Sequence, residues 1–313
     1  MEQSKPQAPR LRHIESFLVV TISALTLLSS CSTEGSVEAS EKNSAAARYS
    51  MKTVSYVPKS HDEAHLMDIY IPAKATKPMP VILWIHGGAW MLGSKEDTPA
   101  IFFMKSGFAV ASMNYRFSNA AIYPAQLEDA KAAVRFLRAN AAQYHFDPKR
   151  IAAFGNSAGG HLAALLGTTG GVKPLEGNLG NPTESSKVQA VVDWCGPTDL
   201  LNIEEQGGID NPLRPADPKG ALAKLLGGIP SKKQELAAAA SPVTFASNDD
   251  PPFLIMHGDH DPVVPIEQSE NLYAVLKSSG VNVVYHVVKN GKHNFFTPEN
   301  LQIVENFLKK TLH

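Results

Sequence analysis

The sequence predicts an α/β fold with a mostly parallel central sheet and helices on both faces. From residue 52 onward, segments with the pattern of strands alternate with segments with the pattern of helices, which is typical of parallel sheets. Several strand segments are continuous apolar runs, as expected of strands buried on both faces. The chain has 313 residues, of which 43% are hydrophobic and 19% charged, and this suffices for one large core.

The first half of the predicted domain contains four strands and a long helix. Met67–Pro72 alternates apolar and polar residues, which predicts an antiparallel strand near a sheet edge. Val81–His86, Phe108–Tyr115 and Ile151–Phe154 are apolar runs that predict buried strands. Pro124–Ala142 repeats apolar residues at helical spacing and begins with a proline, which suits a helix start.

The second half continues the alternation. The predicted helices are Ala158–Leu166, Ile266–Ser279 and Pro298–Leu308, and the predicted strands are Val188–Trp194, Pro252–Gly258 and Val281–Val288. Residues 198–240 have weaker periodicity and many glycines and prolines. We interpret them as an insertion where a lid or the wall of a pocket would lie.

The first fifty residues do not fit the domain. Arg10 and Arg12 precede the apolar stretch Phe17–Leu28, which is followed by small residues. This pattern predicts a secretory signal peptide over residues 1–30, because the stretch is too short for a membrane-spanning helix with normal flanks. The polar residues 31–50 predict a flexible tether, and the folded domain is expected over residues 51–313.

The end of the apolar stretch, Leu28-Ser29-Ser30-Cys31, resembles the lipobox of bacterial lipoproteins. The resemblance implies cleavage before Cys31, lipidation of that residue and an exported protein anchored to a bacterial membrane on its periplasmic or cell-surface side. A plain signal peptide with an incidental cysteine is the alternative. Cys195 is the one other cysteine, so no internal disulfide is expected, and its apolar surroundings are typical of a small core residue.

The segment GNSAG places Ser157 on a turn between a predicted strand and a predicted helix. Glycines at both ends of the segment permit a tight reversal that would force the serine outward at the top of a sheet. The other interpretation is a glycine-rich connection whose serine caps the helix. The pattern alone does not decide between them.

Three further strand ends carry groups suited to acyl transfer. In HGGAW, the backbone N–H groups of Gly87, Gly88 and Ala89 could stabilise an oxyanion, although a turn that needs positive φ would use the same glycines. The next-to-last strand is followed by Asp259 and Asp261, of which one could orient an imidazole while the other caps its own turn. The last strand is followed by His293.

The order of these groups is more specific than any one of them. Ser157, Asp261 and His293 each lie just past a predicted strand, and nucleophile, acid and histidine in this order define the α/β-hydrolase arrangement. The residues outside this set receive other interpretations. Asp129 is expected to tie down a loop, and His161 to pack. The remaining three are His86, expected to brace the oxyanion loop, and Asp193 and Asp199, which compete weakly for the role of acid.

At these residues the sequence resembles the α/β-hydrolase esterases of the BD-FAE type, typified by acetyl-xylan and feruloyl esterases and related to the hormone-sensitive-lipase group. The matching segments are HGGAW, NYRFS, YPAQLEDAKAAVRFLR, GNSAGGHLAAL, SPVTFASNDDPPFLIMHGDHDPVVP and GKHNF. The resemblance implies that Ser157 is the nucleophile, His293 the base and Asp261 its partner. It places the oxyanion donors at Ala158 and within residues 87–89. The hormone-sensitive-lipase group usually has a third glycine where Ala89 stands, so the choice among the three amides stays open.

The resemblance implies a serine carboxylesterase that acts through an acyl-enzyme on short-chain esters, acetyl esters of a carbohydrate above all. A lipase, a peptidase of the prolyl-oligopeptidase type and a non-catalytic binding module of the same fold are the alternatives. No metal, cofactor or nucleic-acid partner is expected, since the sequence has no zinc spacing, phosphate loop or basic block. Four aromatic residues could stack on a sugar or feruloyl ring or pack in the core: Trp90, Tyr123, Trp194 and Phe295.

Overall fold

An eight-stranded sheet runs through the part of the chain that the computed structural model describes, which is residues 49–73, 76–206, 213 and 215–312. The strands are β1 (Tyr49–Ser55), β2 (Leu66–Pro72), β3 (Met79–Ile85), β4 (Ala109–Met113), β5 (Phe146–Asn156), β6 (Ala190–Trp194), β7 (Phe253–Gly258) and β8 (Val283–Val288). Their order is β1-β2-β4-β3-β5-β6-β7-β8. β2 is antiparallel to both of its neighbours, and all other neighbours are parallel.

Helices cover both faces of this sheet. They are α1 (Ala125–Ala139), α2 (Ala141–Tyr144), α3 (Ala158–Thr168), α4 (Ile203–Gln206), α5 (Ala221–Leu226), α6 (Gln234–Ala239), α7 (Ile266–Ser278) and α8 (Pro298–Leu312), with 3₁₀ turns at Glu63–His65, Pro99–Ser106, Lys173–Leu175, Pro230–Lys232 and Pro242–Thr244. One apolar core contains side chains of α1, α3 and α7, and a second contains Phe103 and side chains of α8. The predicted α/β architecture is therefore confirmed.

The first strand begins earlier than the sequence predicts. β1 starts at Tyr49, inside the predicted tether, and pairs along its whole length with β2. Its side chains are mostly exposed, so it lacks the apolar run that marks the other strands. Because β1 runs in the same direction as the parallel strands, Tyr49 lies at the edge of the sheet where those strands begin.

The predicted signal peptide, Cys31 and nearly all of the predicted tether lie outside the described residues. No helix among the described residues combines the length and the apolar character needed to cross a membrane.

Other boundaries shift by a few residues where side chains interrupt a pattern. β4 ends at Met113. The next residue, Asn114, bonds other segments through its side chain: Oδ1 accepts from the Lys95 N–H, and Nδ2 donates to Glu63 O. β5 extends back to Phe146, which pairs with Met79. The sequence places His86 in β3, but the strand ends at Ile85 and His86 opens the following loop.

In its described residues, the 198–240 insertion packs most apolar side chains inward, with Leu201 an exception at 39% exposed. Ile203, Leu222 and Leu225 are fully buried, whereas Lys224 and Glu235 are exposed. The insertion is attached to the segment before α1 by two hydrogen bonds of Tyr123, whose N–H donates to Leu225 O at 2.8 Å and whose hydroxyl donates to Ala239 O at 2.6 Å. Its described surface is therefore largely polar.

Candidate active site

Ser157 occupies a sharp turn between β5 and α3. Its φ is 54°, a left-handed conformation that a residue other than glycine adopts at a cost. The turn needs glycines on both sides, since a Cβ on Gly155 would lie 2.2 Å from Gly159 O, and one on Gly159 would lie 1.9 Å from Ile85 O. The turn is fixed by the Ser157 N–H, which donates to Trp194 O at 2.7 Å.

The hydroxyl of Ser157 is free to reach a ligand. Within the described residues Oγ has no hydrogen-bond partner, and the residue is 7% exposed. The serine thus lies at the carboxyl edge of the sheet with its backbone held and its side chain uncommitted.

His293 and Asp261 are joined by a hydrogen bond of 2.8 Å between Nδ1 and Oδ2. The Asp261 side chain is fully buried, and burial alone would raise its pKa. Hydrogen bonds from His257, His293 and the Val263 amide outweigh burial and hold the pKa of Asp261 well below its usual range. Asp261 is therefore an anion that accepts from His293 Nδ1, which in the neutral ring leaves Nε2 able to accept a proton.

Asp261 also caps its own turn. Its Oδ1 accepts from the Val263 N–H at 2.8 Å and the Val264 N–H at 3.1 Å. The sequence assigns turn capping and imidazole binding to two different aspartates, whereas the structure assigns both to Asp261 through separate oxygens. Asp259 instead bonds the neighbouring, exposed His260 at 2.7 Å.

The weaker candidates for the acid do not reach His293. Asp199 accepts from the side chains of Asn202 and Asn271 at 2.7 and 2.9 Å. Asp193 is fully buried, and its Oδ1 accepts from the Gly196 N–H at 2.9 Å. Asp261 is thus the carboxylate that the structure brings to the histidine.

The loop after β3 presents backbone donors next to the serine turn. Gly88, Ala89 and Trp90 have φ values of 108°, 51° and 58°, and Gly87 lies against Asn156, where a Cβ would be 3.1 Å from Asn156 O. In the described part of the chain, no protein acceptor is bonded to the N–H groups of the four predicted donors, which are Gly87, Gly88, Ala89 and Ala158. An oxyanion could accept from these groups.

Two of the unassigned residues brace loops near the site, as the sequence predicts. His86 bonds Gly87 O through Nδ1 at 2.7 Å, and its ring stacks on Tyr115 with centroids 4.5 Å apart. Asp129 accepts from the Arg116 N–H at 2.8 Å and pairs with the Arg116 guanidinium. His86 thereby braces the loop after β3, and Asp129 braces the loop after β4.

His161 has a packing role. Trp90 Nε1 donates to its Nδ1 at 3.2 Å, and its Nε2 donates to Ala240 O at 2.7 Å. Burial lowers the pKa of His161 to about 4, so the ring is neutral and both nitrogens are occupied. It links α3 to the oxyanion loop and to the insertion.

The four aromatic candidates for ring stacking lie in the core. Trp90, Tyr123, Trp194 and Phe295 are each at most 4% exposed. Of the two interpretations that the sequence left open, the structure selects packing, so these rings offer no platform for a sugar or a feruloyl group.

Cys195 received no role from the sequence, yet it contacts the histidine. Its thiol donates to His293 O at 3.4 Å, and burial raises its pKa, so it remains a protonated donor. Cys195, Asp261 and His293 are the one group of metal-ligating side chains found among the described residues, with ligand atoms within 4.8 Å. Because the nitrogen that faces Asp261 already donates to it, this group is a hydrogen-bonded cluster. In the sequence, the position of Cys195 directly after β6 is the signal that could have placed it near the other groups at this edge of the sheet.

The buried Asp193 predicts a pH-dependent stability. Its Oδ2 has no partner among the described residues, and burial raises its pKa to about 6. The folded state therefore binds this proton more tightly than the unfolded state, whose aspartate pKa is about 3.9, and stability is lost as pH rises between these values. Asp193→Asn should be the more stable protein at pH 7, by roughly 2–3 kcal/mol.

Urea unfolding of both proteins from pH 4 to pH 8 measures this effect. The advantage of Asp193→Asn should shrink steadily towards pH 4, where the folded wild type is protonated and its unfolded state is about half protonated. A difference that stays constant with pH would contradict the assignment.

The sheet order and the serine turn, with a histidine–aspartate pair and free amides at the same edge, define an α/β-hydrolase. The chain belongs to the BD-FAE family, whose family model matches residues 67–276. Esterase LipQ of Mycobacterium tuberculosis is 32% identical over 230 residues, covering 69% of this chain and 50% of that protein. Esterase LipC of the same organism is 30% identical over 239 residues, covering 75% and 58%. The chain spans about half the length of these relatives.

Solved structures agree with this assignment. A truncated form of a carbohydrate esterase from gut microbiota is 35% identical with a TM-score of 0.78, covering 85% of this chain and 97% of that one. A bifunctional GH43-CE of Bacteroides eggerthii is 35% identical with a TM-score of 0.77, covering 84% and 38%. The resemblance to α/β-hydrolase esterases that the motifs indicate is confirmed.

Proposed function

We propose that the protein is a serine carboxylesterase that removes short acyl groups, acetyl above all, from a carbohydrate. The observation that carries the proposal is the buried Asp261–His293 hydrogen bond at the sheet edge that also presents the free Ser157 hydroxyl. Relatives named as esterases support ester hydrolysis, and neighbours described as carbohydrate esterases support the class of substrate.

The reaction follows from these positions. On substrate binding the Ser157 hydroxyl turns to His293 Nε2, which takes its proton as Oγ attacks the ester carbonyl. The oxyanion accepts from the Ala158 N–H and from amides within residues 87–89. His293 then protonates the leaving alcohol and later activates the water that releases the acid, while Asp261 stabilises each imidazolium.

Preference for short acyl groups is supported by the insertion after β6. A lipase lid exposes an apolar amphipathic face to an oil surface, whereas this insertion buries Ile203, Leu222 and Leu225 and exposes Lys224 and Glu235. A polar rim suits an acetylated, water-soluble glycan.

A series of p-nitrophenyl esters from two to twelve acyl carbons, run beside acetylated xylan, tests the proposal. We expect the highest kcat/KM at two to four carbons and acetate release from xylan, with Ser157→Ala as the background control. A preference for chains beyond about eight carbons without acetate release would indicate a lipase. Cleavage of peptides alone would indicate a peptidase, and no turnover at all a binding module.

We also propose that the protein is exported and held at a bacterial membrane through lipidated Cys31, which the lipobox-like Leu28–Cys31 supports. Cys31→Ala should move the protein from the membrane fraction to the soluble fraction of the cell. Equal partition of the two proteins would refute the anchor.

A further inference from the structure

Asp261 is bonded by a second imidazole besides His293. His257 lies on β7, and its Nε2 is 3.2 Å from Asp261 Oδ2, the oxygen that also accepts from His293 Nδ1 at 2.8 Å. His257 and the Asp261 carboxylate are fully buried. Two histidines therefore share one carboxylate oxygen, one facing the reaction and the other facing the core.

The proton on His257 can be assigned from its partners. Nε2 is also 2.9 Å from Val264 O, and because a carbonyl can only accept, Nε2 carries a proton. Nδ1 lies 2.7 Å from the hydroxyl of the fully buried Ser269 on α7, which donates to it in the neutral ring. The imidazole is thus held at both nitrogens: Nε2 is bonded to Val264 O, and the same nitrogen lies 3.2 Å from Asp261 Oδ2.

We propose that His257, held by Ser269, is a positioning residue of the esterase: it orients Asp261 and sets how strongly that carboxylate stabilises the charged form of His293. This inference rests on the proposed function. A hydrogen bond to a charged acceptor is stronger than one between neutral groups, so the His257 N–H withdraws part of the negative charge that His293 would otherwise receive. Partners of this kind tune the group they contact.

The groups that face Asp261 from the neighbouring elements are few. β6 contributes the buried Asp193, which interacts electrostatically with His257, and the residue after β6 contributes the Cys195 thiol. The turn after β7 contributes the amides of Val263 and Val264. Among the described residues, the two histidines are therefore the basic side chains in contact with the carboxylate.

His257→Leu removes the donor while keeping an apolar side chain. Asp261 then offers more negative charge to His293, the imidazolium is stabilised, and His293 loses its proton at a higher pH. We expect the acidic limb of kcat/KM, which reports the free enzyme, to move up by about half a pH unit or more. We also expect kcat to fall about tenfold or more, with KM within twofold.

Three further variants distinguish a positioning role of His257 from general destabilisation of the protein. His257→Gln places an amide N–H near the position of Nε2 and should recover most of kcat and the wild-type limb. Ser269→Ala leaves the ring held only through Nε2 and should give an intermediate shift. It replaces His257→Leu if that variant does not fold. His260→Gln, in the same loop but exposed, is the control and should change neither quantity.

The pH titration of His293, followed by NMR of its ring protons, gives a readout that needs no substrate. If the wild type proves to hydrolyse no ester, the proposed function fails while this titration still tests the coupling of His257 to His293. An unchanged titration and an unchanged acidic limb in folded His257→Leu or Ser269→Ala would overturn the inference.

Discussion

Ser157→Ala is expected to lower kcat for p-nitrophenyl acetate by about four to six orders of magnitude while leaving the fold intact. The nucleophile is lost, but the Oγ atom has no partner among the described residues, so no internal hydrogen bond is broken. Alanine meets the same backbone constraint at φ 54° as serine. Stopped assays at high enzyme concentration, with thermal unfolding alongside, measure both quantities.

A matched control is available in Ser278→Ala. Ser278 is exposed near the end of α7, and among the described residues its hydroxyl bonds the Val275 carbonyl alone. The kcat of this variant should therefore equal that of the wild type. Near wild-type turnover in Ser157→Ala would refute the assignment of the nucleophile.

Asp261→Asn is expected to lower kcat by about three to four orders of magnitude. An amide in this position can present its NH₂ to His293, which moves the ring proton to Nε2 and removes the base that Ser157 needs. We expect the decrease in kcat and not in KM, because the Asp261 side chain is fully buried next to His293 and does not contact the substrate.

Asp259→Asn, two residues earlier in the same loop, serves as the control. Its carboxylate bonds the exposed His260, so kcat should stay within about threefold, as is usual for exposed pairs. Steady-state kinetics of the two variants at one pH, after thermal unfolding has shown both to be folded, decide the matter. Equal or reversed losses would contradict the choice of acid.

The parts of the fold that the sequence predicts well are those set by local pattern. Buried parallel strands are continuous apolar runs, and the groups after them meet at one edge of the sheet whatever the details of the connections. For this reason the positions of Ser157, Asp261 and His293 can be predicted as a group from the sequence alone, as can the bracing roles of His86 and Asp129.

What could not be predicted depends on contacts between distant segments. β1 is exposed and owes its conformation to pairing with β2, so no apolar run announces it. Cys195 lies 98 positions before the carbonyl that it bonds, and only the order of β6, β7 and β8 brings the two together. The double role of Asp261 depends on which oxygen faces which partner, and no spacing rule contains that information.

The direction of β1 determines the edge of the sheet at which a preceding tether would join the domain. The chain enters the domain at Tyr49, on the side where the parallel strands begin, and Ser157 lies on the opposite side. A seven-residue strand spans about 23 Å, so the serine would lie at least that far beyond the attachment point. A tether joined at Tyr49 would thus attach at the edge of the sheet opposite to Ser157. A polymer could then reach the catalytic edge without meeting the point of attachment.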